Sequence, residues 1–141
     1  MSFDLTILGS SAALPTSKRF PTAHLLKAGE RFFLIDCGEG TQIRLRQYGI
    51  NPSRIHHILI SHLHGDHVFG LFGLLSTLGM MGRKVPLHLH GPHALEEFMN
   101  SYSRFFGPLP FELEFRTPSE DMGFIYESDV LTISAIPLRH R

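Results

Sequence analysis

The 141-residue chain has little cysteine and no excess of charge. A single cysteine, Cys37, excludes an intramolecular disulfide framework and favours a reducing compartment, so we expect a cytoplasmic protein. Thirteen basic residues balance thirteen acidic ones, so DNA and anionic membranes are not expected partners. The longest apolar stretch, residues 68–81, is too short to cross a bilayer, and the N-terminus shows no signal-peptide pattern.

The composition is instead that of one globular domain. Apolar residues make up 43% of the chain and charged residues only 18%, which argues against disorder. A chain of this length buries about two-thirds of its unfolded surface. Because no internal repeat or linker interrupts it, we predict one domain over residues 1–141.

The order of elements predicts an α/β domain with a mixed sheet. Hydrophobic spacing favours helices over residues 41–48 and 69–78 and a third helix with one apolar face from Leu95 to Phe106. Apolar alternation and short apolar runs favour strands over residues 3–8, 24–27, 31–36, 55–61, 87–90, 111–115, 124–126 and 130–136. Residues 58–60 are expected to be fully buried.

Four candidate metal ligands follow directly on the predicted strand 55–61. In extended backbone, His62 and His64 point to the same side, and Gly65 then allows a turn that returns Asp66 and His67 toward them. Neutral imidazole and carboxylate are both ligands of Zn²⁺. Packing these groups without a metal would bury polar atoms that have no evident partners. The segment therefore predicts a metal site.

The other histidines do not share this spacing. Five of them lie where predicted strands and helices begin, alternate or end, and we interpret them as solvated or capping side chains: His56, His57, His88, His90 and His93. His140 follows the last predicted strand, and its position alone gives little reason to count it as a ligand.

Three stretches together resemble the ribonuclease Z family of the metallo-β-lactamase superfamily. They are Leu-Gly-Ser-Ser-Ala-Ala-Leu-Pro-Thr at residues 8–16 with Lys18-Arg19, Ile-Asp-Cys-Gly-Glu-Gly-Thr-Gln at residues 35–42, and Ile-Ser-His-Leu-His-Gly-Asp-His at residues 60–67 continuing to Thr77. The superfamily signature in the third stretch also occurs in other hydrolases, and the second stretch makes the resemblance specific. It implies a metallo-β-lactamase-like αβ/βα sandwich, of which this chain corresponds to the N-terminal half.

The resemblance also implies two zinc ions in the complete subunit. His62 and His64 would bind the first ion together with His140. Asp66 and His67 would bind the second, and Asp66 would act as the general base. The remaining ligands and a tRNA-gripping arm belong to the half of the family pattern that is not found here.

Three further residues receive roles from the resemblance. Asp36 would support the metal loop by orienting a ligand or by holding the backbone, although a simple turn aspartate fits the sequence nearly as well. Lys18 and Arg19 are candidate RNA contacts, whereas Arg44 and Arg46 fit solvated surface charges better.

The implied activity is removal of the 3′ trailer from tRNA precursors, which leaves a 3′-hydroxyl on the tRNA. The family is commonly homodimeric, and residues 69–81 fit either a dimer interface or the core. Two alternatives stay open: another hydrolase of this fold, such as a phosphodiesterase or thioesterase, and a non-catalytic metal-binding half-domain.

The ligand count leads to an expectation for residues 1–141 alone. A second site with only Asp66 and His67 is under-coordinated, because catalytic zinc sites hold about three protein ligands. We expect this fragment to bind about one zinc, to self-associate through the open edge of the strand over residues 130–136, and not to cleave precursor tRNA.

Overall fold

A computed structural model describes residues 2–118 and 123–140, and it contains a six-stranded mixed sheet. The sheet order follows the chain, from β1 to β6. Its strands are β1 (Phe3–Gly9), β2 (Ala23–Ala28), β3 (Arg31–Ile35), β4 (Ile55–Leu59), β5 (Leu87–His90) and β6 (Leu113–Arg116). The first three strands pair antiparallel and the last four pair parallel, which confirms the predicted mixed sheet.

The helices connect the parallel strands, as crossovers between parallel neighbours require. They are α1 (Thr41–Gln47), α2 (Gly65–Val68), α3 (Leu71–Met80) and α4 (Ala94–Phe106), with a 3₁₀ turn at Pro52–Arg54. The helix predicted over residues 69–78 begins later, at Leu71, and Phe69 is exposed. The chain bends at Gly70 because its N–H donates to Cys37 O at 2.9 Å, and a Cβ there would overlap the carbonyl oxygen of Gly38.

One face of the sheet carries the main core. Leu25, Leu34, Ile58 and Leu89 form one row across four paired strands, and all four are buried. They share a hydrophobic cluster with the apolar residues of the helices, among them Leu45 of α1, Leu74 and Leu78 of α3, and Met99 of α4. The helices therefore cover this face. Leu59, expected to be fully buried, faces the other way and is only half-buried.

The opposite face receives a second, separate sheet. β7 (Gly123–Glu127) and β8 (Thr132–Ala135) pair antiparallel with each other. The Tyr126 ring lies 5.2 Å from that of Phe33 and 4.7 Å from that of His57, measured between centroids. The sequence led us to expect residues 130–136 at the edge of the main sheet, but β8 instead belongs to the second sheet, where it pairs with β7.

Histidines line the same face beside Tyr126. The rings of His57 and His88 stack with centroids 4.8 Å apart, and His57 Nδ1 lies 3.1 Å from His90 Nε2. His90 is 2% exposed, so its interpretation as a solvated residue is wrong. His88 Nδ1 lies 2.9 Å from Glu114 Oε2, yet the direction of approach does not make a hydrogen bond. Burial lowers the pKa of His57 to about 3 and that of His90 to about 4.

The outermost strand β1 exposes apolar side chains. Phe3, Leu5 and Ile7 alternate along one face as predicted, but each is about half exposed.

Among the residues described, no helix is long and apolar enough to cross a membrane.

A buried arginine ties together the amino ends of the parallel strands. Arg83 is 5% exposed and donates to four backbone carbonyls, those of Ser53, Ile55, Val85 and Pro86, at 2.8–3.2 Å. The carbonyls of Ser53 and Ile55 lie at the start of β4, and those of Val85 and Pro86 lie just before β5. The guanidinium therefore satisfies acceptors that the sheet itself leaves unpaired.

The low pKa values of His57 and His90 predict a stability that decreases in acid. Between pH 6.5, the ordinary pKa of histidine, and the lower pKa values in the fold, both imidazoles are neutral in the folded protein and protonated in the unfolded one. The unfolded state therefore binds more protons in this pH range. The free energy of unfolding should therefore fall as the pH decreases from 6.5 toward the folded values. Urea midpoints measured across this range should fall less steeply in His57→Gln, while exposed His93→Gln should keep the wild-type slope. Three equal slopes would contradict the assignment.

Replacing the buried Arg83 should lower the free energy of unfolding far more than replacing its exposed neighbour Lys84. Arg83→Met leaves one buried and three partly buried carbonyls without this donor, so we expect a loss of about 3 kcal/mol in the free energy of unfolding. Lys84→Met is the matched control because Lys84 is exposed, and its effect should stay within about 0.5 kcal/mol. Chemical denaturation of both variants measures the difference, and similar losses would show that the carbonyl contacts contribute little.

Candidate metal centre

The predicted ligands meet at the edge of the sheet where the parallel strands end. The segment 61–67 follows β4, and its last residues form α2. Asp36 follows β3, the parallel neighbour of β4, and His140 arrives from the chain after β8. Loops at the carboxyl ends of such strands are where open α/β sheets place their sites. A cavity of about 720 Å³ opens there, lined among others by His62, His90 and His140.

Three imidazoles converge on one point. His62 Nε2 lies 3.1 Å from His64 Nδ1, which in turn lies 3.1 Å from His140 Nε2. One ring nitrogen from each residue lies within 4.8 Å of the others, the spacing of ligands around a single ion. His140, weakly supported by its position in the sequence, therefore lies beside the two histidines of the motif. His64 and His140 are exposed, so the site is open to solvent.

The other two predicted ligands lie next to this group. Asp66 Oδ2 is 3.5 Å from His67 Nε2, and the ring of His67 is 4.1 Å from that of His62 between centroids. The turn after Gly65 is what returns them: α2 begins there, and His67 N donates to His64 O at 2.9 Å. The structure therefore brings all five predicted metal residues to one edge.

The Asp36 carboxylate holds this segment from behind. Its side chain is buried, and its backbone has a φ of 57°, a left-handed conformation that non-glycine residues seldom adopt. Oδ2 accepts a hydrogen bond from His67 Nδ1 at 2.7 Å, and Oδ1 accepts one from Ser61 N at 2.8 Å. Asp36 therefore contacts both the ring of His67 and the backbone of the loop.

The residues after β3 also clamp the metal segment through their backbone. Cys37 N donates to His67 O at 2.8 Å, and Cys37 O accepts from Gly70 N. Gly38 packs so closely that a Cβ there would lie 2.7 Å from Asp66 O. The Cys37 thiol is fully buried and burial raises its pKa to about 12, so it is not a reactive nucleophile.

Sequence reasoning missed two groups that contact the ligands. The Ser61 hydroxyl lies 2.9 Å from His62 Nδ1, and Ala13 N donates to Asp66 Oδ2 at 3.0 Å. Ala13, on the loop after β1, has a positive φ of 54°. Ser61 stood in the motif and could have been singled out for its hydroxyl, whereas a backbone donor from a distant loop leaves no signal in the sequence.

The electrostatics favour the protonation states that metal binding requires. The Ala13 N–H is the main reason that the pKa of Asp66 is lowered, so this carboxylate stays ionised at neutral pH. Burial, followed by the neighbouring His67, lowers the pKa of His62. The imidazole of His62 is therefore neutral at neutral pH, with a lone pair available for a cation.

The candidate basic residues differ in their contacts. Lys18 and Arg19 are exposed, and their backbone N–H groups donate to Thr16 Oγ1, which presents both side chains on a tight turn. Arg44 instead donates to Leu8 O at 2.7 Å and stacks on Phe20, so it fastens α1 to the first strand.

Comparison with known proteins decides the family. A family model described as Anti-Pycsar protein Apyc1 matches residues 3–101. The chain belongs to this family. It is also 44% identical to ribonuclease Z of Bacteroides fragilis and 45% identical to that of Bacteroides thetaiotaomicron, in each case over 99% of the chain. The alignments cover 46% and 45% of those relatives, so the chain spans about half the length of the curated relatives it matches.

Solved structures agree with this placement. The short form of human tRNase Z is 30% identical, with a TM-score of 0.85 over 97% of the chain and 61% of the human one. YhfI of Bacillus subtilis, a metallo-β-lactamase fold protein, has a TM-score of 0.67 at 17% identity over 92% of this chain and 56% of its own. The predicted fold and the resemblance to ribonuclease Z are thereby confirmed.

This family relationship implies a divalent metal, and the residues present fit one. Three ring nitrogens converge within ligand distance of a common point, and an ionised carboxylate and a fourth imidazole stand beside them. Imidazole and carboxylate together suit Zn²⁺ and other first-row divalent ions.

Proposed function

We propose that this chain carries the metal-binding segment of a zinc-dependent endoribonuclease that removes the 3′ trailer from tRNA precursors. The observation that carries the proposal is the meeting of His62, His64 and His140 beside Asp66 and His67. The identity to ribonuclease Z relatives over nearly the whole chain supports this substrate class over other hydrolases of the same fold. The proposed compartment is the cytoplasm, where these precursors are processed, and the proposed assembly is a homodimer.

In the proposed centre, His62, His64 and His140 hold one zinc ion, and Asp66 and His67 contribute to a second. A zinc pair in such a site would supply a water nucleophile ionised near neutral pH and would polarise the scissile phosphate. Zinc also supplies local positive charge, which lets a chain with no net charge bind a polyanion.

The chain's own residues hold the reacting groups in place. The Ala13 N–H donates to Asp66 Oδ2 and keeps this carboxylate ionised, so Asp66 is in the form that can take a proton from the attacking water. The lowered pKa makes this carboxylate a weaker base, so proton transfer depends on its placement beside the attacking water. The exposed turn at Lys18 and Arg19 offers charges to phosphates, as suits RNA recognised by shape.

The described residues leave the second ion under-coordinated. Only Asp66 and His67 face it, whereas catalytic zinc sites hold about three protein ligands. We propose that the remaining ligands come from a part of the relatives that this chain does not match, and that residues 1–141 alone bind about one zinc and do not cleave precursor tRNA.

Removing two of the three converging histidines should remove the bound metal. His62→Ala with His64→Ala leaves a single imidazole at the first position, which cannot hold zinc against dialysis. Elemental analysis of the dialysed chain should show about one zinc fewer than in the wild type. His56→Ala is the matched control, because His56 is exposed at the opposite end of β4 and should leave the zinc content unchanged. Equal zinc content in the double variant and the control would refute the assignment.

Loss of Asp66 should abolish cleavage in a complete enzyme. The test uses a chimera in which residues 1–141 replace the matched portion of the Bacteroides fragilis ribonuclease Z. Asp66→Ala should reduce kcat for trailer removal by more than about tenfold, equivalent to 1.4 kcal/mol of barrier, with precursor binding nearly intact. Glu39→Ala is the control, because Glu39 is exposed close to Asp36 in the sequence and should retain activity.

The same chimera separates the proposal from its alternatives. Cleavage of a precursor tRNA but not of a small chromogenic phosphodiester supports the tRNA-processing function. The reverse preference would indicate a general phosphodiesterase. Trailer removal by residues 1–141 alone would show that this half suffices, contrary to the proposal.

A further inference from the structure

We propose that Ser61 is a positioning residue that fixes the tautomer of His62, so that Nε2 of this ring carries the lone pair turned toward the metal site. The inference rests on the proposed function only in taking His62 and His67 as metal ligands. The contacts that support it lie within the chain itself.

Ser61 stands between the Asp36 carboxylate and the first histidine of the motif. Its Oγ lies 2.9 Å from each carboxylate oxygen of Asp36 and 2.9 Å from His62 Nδ1. Ser61 Oγ lies farther, 3.4 Å, from His67 Nδ1, and this nitrogen already contacts Asp36 Oδ2 at 2.7 Å. The short contacts therefore form a chain from Asp36 through Ser61 to His62.

Counting protons along this chain determines the direction of each hydrogen bond. An ionised carboxylate only accepts, and a serine hydroxyl has a single proton to donate. If that proton went to His62 Nδ1, the hydroxyl oxygen would face two carboxylate oxygens at 2.9 Å with no proton between them. The hydroxyl must therefore donate to Asp36 and accept from His62. His62 then carries its proton on Nδ1, and its Nε2 is unprotonated.

The same carboxylate imposes the same tautomer on His67. Its Nδ1 lies 2.7 Å from Asp36 Oδ2 and can only donate there, so Nδ1 carries a proton and Nε2 is the nitrogen that faces Asp66. One buried carboxylate thus sets two imidazoles, His67 directly and His62 through the hydroxyl of Ser61. Partners of this kind fix the orientation of metal-binding histidines and raise their basicity.

Different atoms of Ser61 position the His62 ring and anchor the backbone: the hydroxyl contacts the ring, and the N–H anchors the backbone. Ser61 N donates to Asp36 Oδ1 at 2.8 Å whatever the side chain is. Because Ser61 is exposed, Ser61→Ala leaves no cavity in the core and keeps this backbone anchor. Its effect should therefore be confined to the tautomer of His62 and to what depends on it.

The first experiment measures tautomers in the metal-free chain. Two-dimensional ¹H–¹⁵N spectra of the imidazole nitrogens distinguish Nδ1–H from Nε2–H. In the wild type, both His62 and His67 should carry Nδ1–H. Ser61→Ala should populate the Nε2–H form of His62 and leave His67 unchanged, and Ser61→Thr, which keeps the hydroxyl, should restore the wild-type state. Asp36→Asn, which tolerates the positive φ, should disturb both rings.

The second experiment measures zinc affinity by competition with a chelating dye. Ser61→Ala should weaken binding by about 10- to 100-fold, the usual effect of removing such a partner, and Ser61→Thr should bind as the wild type does. A wild-type His62 protonated on Nε2 would overturn the proposal, and so would Ser61→Ala with an unchanged His62 tautomer and zinc affinity. Absence of zinc binding in the wild type would instead contradict the proposed function, while the tautomer result would still decide the role of Ser61.

Discussion

The buried carboxylate of Asp36 is the constraint on which the rest of the site depends. It lies at the end of β3 in a left-handed backbone conformation, a costly arrangement that persists only where the surroundings enforce it. Those surroundings are hydrogen bonds: Asp36 N donates to Leu59 O, and the carboxylate accepts from Ser61 and His67. The strained residue thereby joins β3 to the loop that leaves β4. Ser61 and His67, which lie on that loop, are held directly by this junction.

The sheet sets the position of Asp36 relative to the loop that leaves β4. β3 and β4 are central parallel neighbours whose residues Leu34 and Ile58 are buried under the helices. Phe33, Leu34 and Ile35 of β3 pair in register with β4, so the ends of the two strands, and the loops that leave them, are held side by side. Rigid strands hold the site, and the loops supply the chemistry.

Much of this was predictable from the sequence, and the failures have physical causes. The motif from His62 to His67 was recognised because spacing and a glycine turn are local properties. His140 needed the fold, because it reaches His64 across 76 positions of the chain. The histidines His57 and His90 were interpreted as solvated because strand alternation does not reveal that a second sheet covers that face. Ala13 was missed because a backbone N–H is the same in every sequence.

The site draws its three converging imidazoles from two separate parts of the architecture. His62 and His64 lie on the segment that follows β4 of the main sheet, whereas His140 lies five residues beyond the end of β8, a strand of the smaller sheet. An ion bound by all three is therefore also a cross-link between the two sheets. Its binding free energy adds to their association by thermodynamic linkage. If such an ion binds, the metal and the tertiary structure depend on each other, and the concentration of free metal would set how firmly the second sheet is held.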